Sequence, residues 1–208
     1  MNFAIIGASG SVGRKTIEIL EKSKIPFKEL FLVASPKSAG KKIKFRDKEI
    51  EIENLEDYNF SKANITFFAA GSKISEKWAL IAAKKTIVID NSSYFRMQKD
   101  VPLVVPEVNP EALKSHKNII SNPNCSTIQM VLALKPLHDK FKIRRVIVST
   151  YQAVSGAGKA SMDELSEQTE NVLKGKKIEP KNFSKQIAFN LIPHIDEFDK
   201  DGYTKEEL

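Results

Sequence analysis

Glycines at positions 7, 10 and 13 stand between an apolar run, Asn2 to Ile6, and an amphipathic stretch from Val12 to Lys22. The string reads Gly7-Ala8-Ser9-Gly10-Ser11-Val12-Gly13. Glycines so spaced permit a tight turn out of a buried strand and let a pyrophosphate approach the N-terminus of the following helix. A tight βα turn that binds nothing is the alternative reading of the same residues. Either way the pattern constrains the fold, because strand, tight turn and helix at the head of a chain open a β-α-β unit.

The next 110 or so residues keep that alternation. A second strand is predicted over Leu30 to Ala34, ending in Ser35-Pro36-Lys37-Ser38-Ala39-Gly40. From Lys41 to Glu53 apolar and charged residues alternate around Arg46-Asp47-Lys48, the pattern of a hairpin. Strand, helix and strand follow at Ile65 to Ala69, Ser75 to Lys84 and Thr86 to Ile89. The expected architecture is α/β, a Rossmann-type doubly wound parallel sheet with helices on both faces. After the apolar Asn118-Ile119-Ile120 the pattern changes to a helix from Thr127 to Lys140, a long strand from Arg144 to Ala153 and a polar helix from Lys159 to Leu173. A boundary near Ser121 therefore divides the chain into residues 1–121 and 122–208. The closing stretch, Gly202 to Leu208, reads as the opening of a helix, so the chain is expected to be part of a longer protein.

The end of the second strand bears on the cofactor. An NAD site places Asp or Glu there to bond the ribose 2′-hydroxyl. Ala34, Ser35, Pro36, Lys37 and Ser38 contain no acid; Lys37 with Ser35 and Ser38 suits a 2′-phosphate. The expected cofactor is NADP, held by Gly7, Ser9, Gly10, Ser11, Val12 and Gly13 together with Ser35, Lys37 and Ser38. A plain surface turn would also account for this second group.

Cys125 is the one cysteine of the 208 residues, in Ser121-Asn122-Pro123-Asn124-Cys125-Ser126-Thr127 just ahead of a predicted helix. Helix N-termini stabilise thiolates, the nucleophilic form of the side chain. A buried filler is the bland alternative, and the polar neighbours argue against it. A lone cysteine also excludes an intramolecular disulfide, which fits a reducing, cytoplasmic setting. No apolar run reaches the length of a membrane span. The net charge of +7 is carried mostly by lysines interspersed with glutamates, which argues for a solvated surface and against a nucleic-acid partner. Arginine is scarce, so Arg96, close to the polar Asp90-Asn91-Ser92-Ser93, stands out as an oxyanion ligand or a structural ion pair.

A dinucleotide turn with a helix-terminal cysteine suggests an oxidoreductase that works through a thioester. The chain resembles the N-terminal part of the aspartate-semialdehyde dehydrogenase family from residue 1 to 208. The carriers of the resemblance are the glycine string, Ala34-Ser35-Pro36-Lys37-Ser38-Ala39-Gly40, Asp90-Asn91-Ser92-Ser93-Tyr94-Phe95-Arg96-Met97, Asn122-Pro123-Asn124-Cys125-Ser126-Thr127 and Tyr151-Gln152-Ala153-Val154-Ser155-Gly156-Ala157-Gly158. The resemblance implies an NADP-dependent, phosphorylating aldehyde dehydrogenase of lysine, threonine, methionine and diaminopimelate biosynthesis. It interconverts L-aspartate 4-semialdehyde plus phosphate and 4-aspartyl phosphate.

In that reading Cys125 is the nucleophile, Arg96 binds phosphate, and Asn124, Gln152 and Glu206 hold substrate. Ser155 and Gly156 lie against the cofactor, and no metal is implied. The region 122–208 becomes an incomplete α+β catalytic and dimerisation domain of a homodimer or higher assembly. The chain departs from the family pattern in two respects. Lys37 stands where Arg is usual, and the acid–base histidine motif and a phosphate-binding lysine are not found among these residues. His116, His138 and His194 sit in no matching motif, so the chain alone is expected to have little turnover. Two rivals are a related N-acetyl-glutamyl-phosphate-type reductase and a non-catalytic NADP-binding module.

Overall fold

A computed structural model describes residues 1–207. Seven strands form one sheet: β1 (Phe3–Ile6), β2 (Leu30–Ala34), β3 (Lys42–Phe45), β4 (Lys48–Asn54), β5 (Ile65–Phe68), β6 (Ile87–Asp90) and β7 (Ile119–Ser121). Their spatial order is β3-β4-β2-β1-β5-β6-β7, and every pairing is parallel except the β3–β4 hairpin. Among the described residues four α-helices accompany them: α1 (Ser11–Lys22), α2 (Ser72–Ala82), α3 (Cys125–Phe141) and α4 (Lys159–Leu173). The predicted α/β sheet is therefore present, with the hairpin turning at Arg46-Asp47 as its alternation indicated.

Side-chain alternation along the strands explains the double winding. In β1, Ala4 and Ile6 point to one face and Phe3 and Ile5 to the other. The first face packs with Ala79 and Ala82 of α2 and with Phe60, Phe68 and Val88. The second packs with Ile17 and Leu20 of α1 and with Leu32 and Ile52. Burying each of those two α1 side chains contributes roughly 1.5–3 kcal/mol, enough to hold a 12-residue helix that would be marginal in isolation. β1 is bracketed by β2 and β5, so the direction of winding reverses beside it. In such sheets a crevice for ligands opens at that point, beyond the carboxyl ends of the strands.

The chain divides into two compact units, residues 1–148 and 149–208. The first holds the sheet together with α1, α2 and α3. Three expectations need correction. The predicted strand from Arg144 to Ala153 is irregular coil. Its residues can alternate as a strand does, but a strand exists only where a neighbour satisfies its backbone groups, and no neighbour pairs with it among the described residues. Ile147 and Tyr151 are accordingly 80% and 88% exposed. Second, α2 begins at Ser72, three residues before the expected Ser75, because Gly71 at φ 84° supplies the turn into it. Third, the expected helical start at 202–208 is a turn over its described part, with Thr204 in an isolated bridge to Phe198. Leu208 lies outside the described residues.

The second unit is organised by a buried polar pair on α4. Glu164 and Gln168, 4% and 3% exposed, lie one helical turn apart. Glu164 accepts from the backbone N–H of Lys181 (2.8 Å), from that of Asn182 (2.6 Å) and from Asn182 Nδ2 (2.8 Å). Gln168 donates to Glu164 (2.8 Å) and accepts from the N–H groups of Ile187 and Ala188 (2.8 and 3.2 Å). The loop from 181 to 188 is thereby laid along the helix by side chains that replace missing sheet partners. Burial by itself raises the pKa of Glu164, but these four donors outweigh it and hold the carboxyl below its ordinary value.

A carboxylate depressed in the folded state contributes stability in full above its unfolded pKa, about 4.3, and loses it as pH falls through the folded value. Protection factors for α4 and residues 181–188, followed by hydrogen exchange from about pH 6 to about pH 3, should therefore fall with acid in the wild type. Glu164→Gln should be less protected near neutrality, with a flatter acid profile. Parallel profiles in the two proteins would contradict the assignment.

Candidate active site

The sharpest turn of the fold is at the carboxyl end of β1. Gly7 has φ +88°, and a Cβ placed on it would lie 2.6 Å from the carbonyl oxygen of Ala69, just beyond β5. A Cβ on Gly13 would lie 2.2 Å from the carbonyl oxygen of Gly7. These glycines seat α1 directly on the turn. At Gly10 the nearest such atom is at 3.3 Å, so its demand is lighter. Gly10 is the N-cap of α1, and no side chain caps the helix start. Ser11 and Val12, in the first turn, are exposed. An uncapped helix start at a winding reversal fits a dinucleotide pyrophosphate, which needs backbone N–H groups and a favourable dipole.

After β2 the chain makes a turn in which Ser38 N and Ala39 N donate to Ser35 O (2.9 and 3.2 Å). Ser35 and Lys37 are exposed and Ser38 is half-buried, at the same carboxyl edge of the sheet as Gly7. That edge also carries the loops beyond β6 and β7. Asp90, fully buried at the end of β6, accepts from Ser75 of α2 (2.6 Å) and from Ser92 (2.7 Å). Ser92 Oγ accepts in turn from Tyr94 N (3.2 Å), so a buried carboxylate anchors the turn that delivers Arg96. Arg96 Nε donates to Asn122 O (3.0 Å) and its Nη2 to Asn91 O (3.2 Å).

Cys125 is the first residue of α3 and is exposed. Asn124 is the N-cap, its Oδ1 accepting from Ser126 N (2.8 Å). The expected helix began at Thr127; the Asn124 cap starts it two residues earlier, at the thiol itself.

In the second unit, Gln152 and Glu206 come together although 54 residues separate them: Gln152 Nε2 donates to Glu206 Oε1 at 3.0 Å. Gln152 Oε1 accepts from Thr150 Oγ1 at 3.1 Å. Ser155 and Gly156 lie in a 3-10 turn, Val154–Ala157, and are exposed. Among the histidines, His116 Nδ1 accepts from Asn118 N (3.0 Å), and the His194 ring packs on Phe198 with centroids 4.9 Å apart. Asp90, Asn91, Asn122 and Thr150 were not singled out by their sequence. Each lies inside or beside a motif, but only the fold reveals which partner it takes.

A doubly wound sheet with a glycine-built helix start at its winding reversal defines a dinucleotide-binding α/β protein, here with a thiol at a second helix start on the same edge. Residues 2–116 match the family model described as the NAD-binding domain of semialdehyde dehydrogenase, and residues 134–208 match that of its dimerisation domain. The chain belongs to the semialdehyde dehydrogenase family. It is 54% identical to an aspartate-semialdehyde dehydrogenase of Shewanella sp. (strain DB6705), over all of this chain and 62% of that protein. The crystal structure of aspartate semialdehyde dehydrogenase II complexed with ASA from Vibrio cholerae superposes with a TM-score of 0.96 at 53% identity, covering 99% of this chain and 62% of that one. A probable aspartate-semialdehyde dehydrogenase from Pseudomonas aeruginosa gives 0.94 at 30% identity, over 100% and 63%. The chain thus spans about 62% of the length of the relatives it matches.

Gly13→Ala should destabilise the first unit by about 2 kcal/mol or more, because the added methyl meets backbone rather than a yielding side chain. Gly10→Ala should cost under about 1 kcal/mol. Urea midpoints read through Trp78 fluorescence would separate the two, and equal shifts would refute the packing argument.

Proposed function

We propose that this chain forms the cofactor-binding region (1–121) and part of the catalytic and dimerisation region (122–208) of a cytoplasmic, NADP-dependent aspartate-semialdehyde dehydrogenase. The observation that carries the reading is an exposed thiol opening α3 on the same sheet edge as the glycine turn of β1. The names of the relatives support the substrate, and the two family domains support a cofactor site followed by a dimer-forming region. Among the described residues no helix is long and apolar enough to cross a membrane.

In the oxidative direction Cys125 Sγ attacks the aldehyde carbon of L-aspartate 4-semialdehyde. A C–S bond forms and the former carbonyl oxygen takes up a proton, giving a thiohemiacetal on Cys125. Bound NADP⁺ would supply the two-electron acceptor for that carbon, which gives up a hydride as its hydroxyl loses a proton to solvent. The product on Cys125 is a thioester; a phosphate oxygen attacks its carbonyl, the C–S bond breaks, and 4-aspartyl phosphate leaves. Arg96 binds the phosphate, since a planar guanidinium matches a tetrahedral oxyanion. Asn124 places substrate beside the thiol, and Gln152 and Glu206 hold its polar groups. Gly7, Ser9, Gly10, Ser11, Val12 and Gly13 receive the pyrophosphate, and Ser155 and Gly156 lie against the nicotinamide half. Ser35, Lys37 and Ser38 take the 2′-phosphate. The cellular direction is reductive, at the branch that leads to lysine, threonine, methionine and diaminopimelate.

In the complete protein, Cys125→Ser should abolish phosphate-dependent NADPH formation from aspartate semialdehyde while leaving NADP binding within about twofold. Retained turnover would point to a non-catalytic cysteine, and faster turnover of N-acetyl-glutamate semialdehyde would favour the related reductase. Lys37→Glu should weaken NADP⁺ by about tenfold or more relative to NAD⁺, through loss of a cation and repulsion of the 2′-phosphate. An unchanged cofactor ratio would remove Lys37 from the site.

A further inference from the structure

The ends of β6 and β7 are tied together by a hydrogen-bonded pair of asparagines whose orientation is determined. Asn91 N and Asn91 Nδ2 both donate to Phe68 O, at 3.0 and 3.3 Å. A carbonyl only accepts, so the Asn91 amide must turn its nitrogen to Phe68. Its Oδ1 then faces Asn122, whose Nδ2 donates to it. Flipping either amide would set like against like. Asn122 N also donates to Asp90 O (3.2 Å), and Arg96 donates to the backbone carbonyls of Asn91 and Asn122. Pro123 follows immediately, then the cap Asn124, then Cys125. Proline fixes its own φ and restricts the residue before it, so a displacement at Asn122 is passed to the thiol rather than absorbed.

We propose that Asn91 and Asn122 are positioning residues: as one unit they set the guanidinium of Arg96 and the loop that presents Cys125. Neither needs to touch substrate. The pair holds two strand ends in register, and Arg96 clips across both. The anion-binding group and the nucleophile are therefore aligned by one shared element. The inference rests on the dehydrogenase reading for the phosphate role, but not for the placement of the thiol.

The test uses the complete protein with Asn91→Ala, Asn122→Ala and the double variant. Four readouts are taken: iodoacetamide alkylation of Cys125, kcat, KM for phosphate, and Kd for NADP. Each single variant should change the alkylation rate by about threefold or more and raise KM for phosphate about tenfold, with Kd for NADP within about twofold. Because the two residues act together, the double variant should be no worse than the more defective single. The proposal is overturned if alkylation and KM stay within about twofold of wild type, if the single effects multiply, or if NADP affinity falls in parallel as a general loosening would require. Should an alanine variant fail to fold, Asn122→Ser, which keeps a donor toward Asn91, carries the same comparison and should be the milder. If the wild type shows no phosphate-dependent turnover, the dehydrogenase reading falls, while alkylation and its non-additivity still decide the pair.

Discussion

The close approach of α1 to the turn after β1 is the contact on which the remaining architecture depends. With hydrogen in place of a methyl at Gly13, the helix start sits against the Gly7 carbonyl, and Gly7 itself lies under Ala69 at the end of β5. Three elements thus meet at van der Waals distance where the sheet reverses its winding. Interiors are close-packed and relax poorly, so a methyl here must displace backbone. Everything further along the carboxyl edge, the 35–40 turn, the Asp90 anchor and the cysteine loop, takes its position from strands registered against β1 and β5.

Buried polar groups do similar work in both units. In the first, Asp90 joins α2 to the Arg96 turn through two serines. In the second, Glu164 and Gln168 bind a loop that has no sheet to join. Fully satisfied networks of this kind rigidify the fold and specify one arrangement, since any other would strand a carboxyl group without donors. The apolar faces explain why the sheet forms. Asp90 explains how the loop after β6 is held, and Glu164 how the loop after α4 is held.

Much of this was legible in the residues because it depends on local periodicity and on glycine. The order of strands and helices to residue 121, the hairpin at Arg46-Asp47 and the α4 helix follow from patterns contained within about a dozen neighbours. The segment 144–153 shows the limit. Alternation reports which side chains share a face, not whether a partner strand stands beside them. Pairings across long separations were equally invisible: Gln152 with Glu206 joins a predicted strand end to a predicted helix opening, and Asn91 with Asn122 joins two polar positions of separate motifs. The helix start at Cys125 falls between these cases, because Asn is a residue type that caps helices but the register of the helix depends on which residue does so.

The strand order also bears on how the chain emerges from a ribosome. β1, made first, is bracketed in the sheet; β2 pairs with it, the hairpin strand β4 adds to β2, and β5, β6 and β7 add in turn on the other side. Each parallel strand after β1 therefore meets a template already synthesised, so the sheet can grow outward from β1 in the order of translation. Residues 144–151 break that sequence: among the described residues they pair with no earlier strand, and Ile147 and Tyr151 stay exposed. Apolar surface left open in this way during synthesis is what chaperones shield.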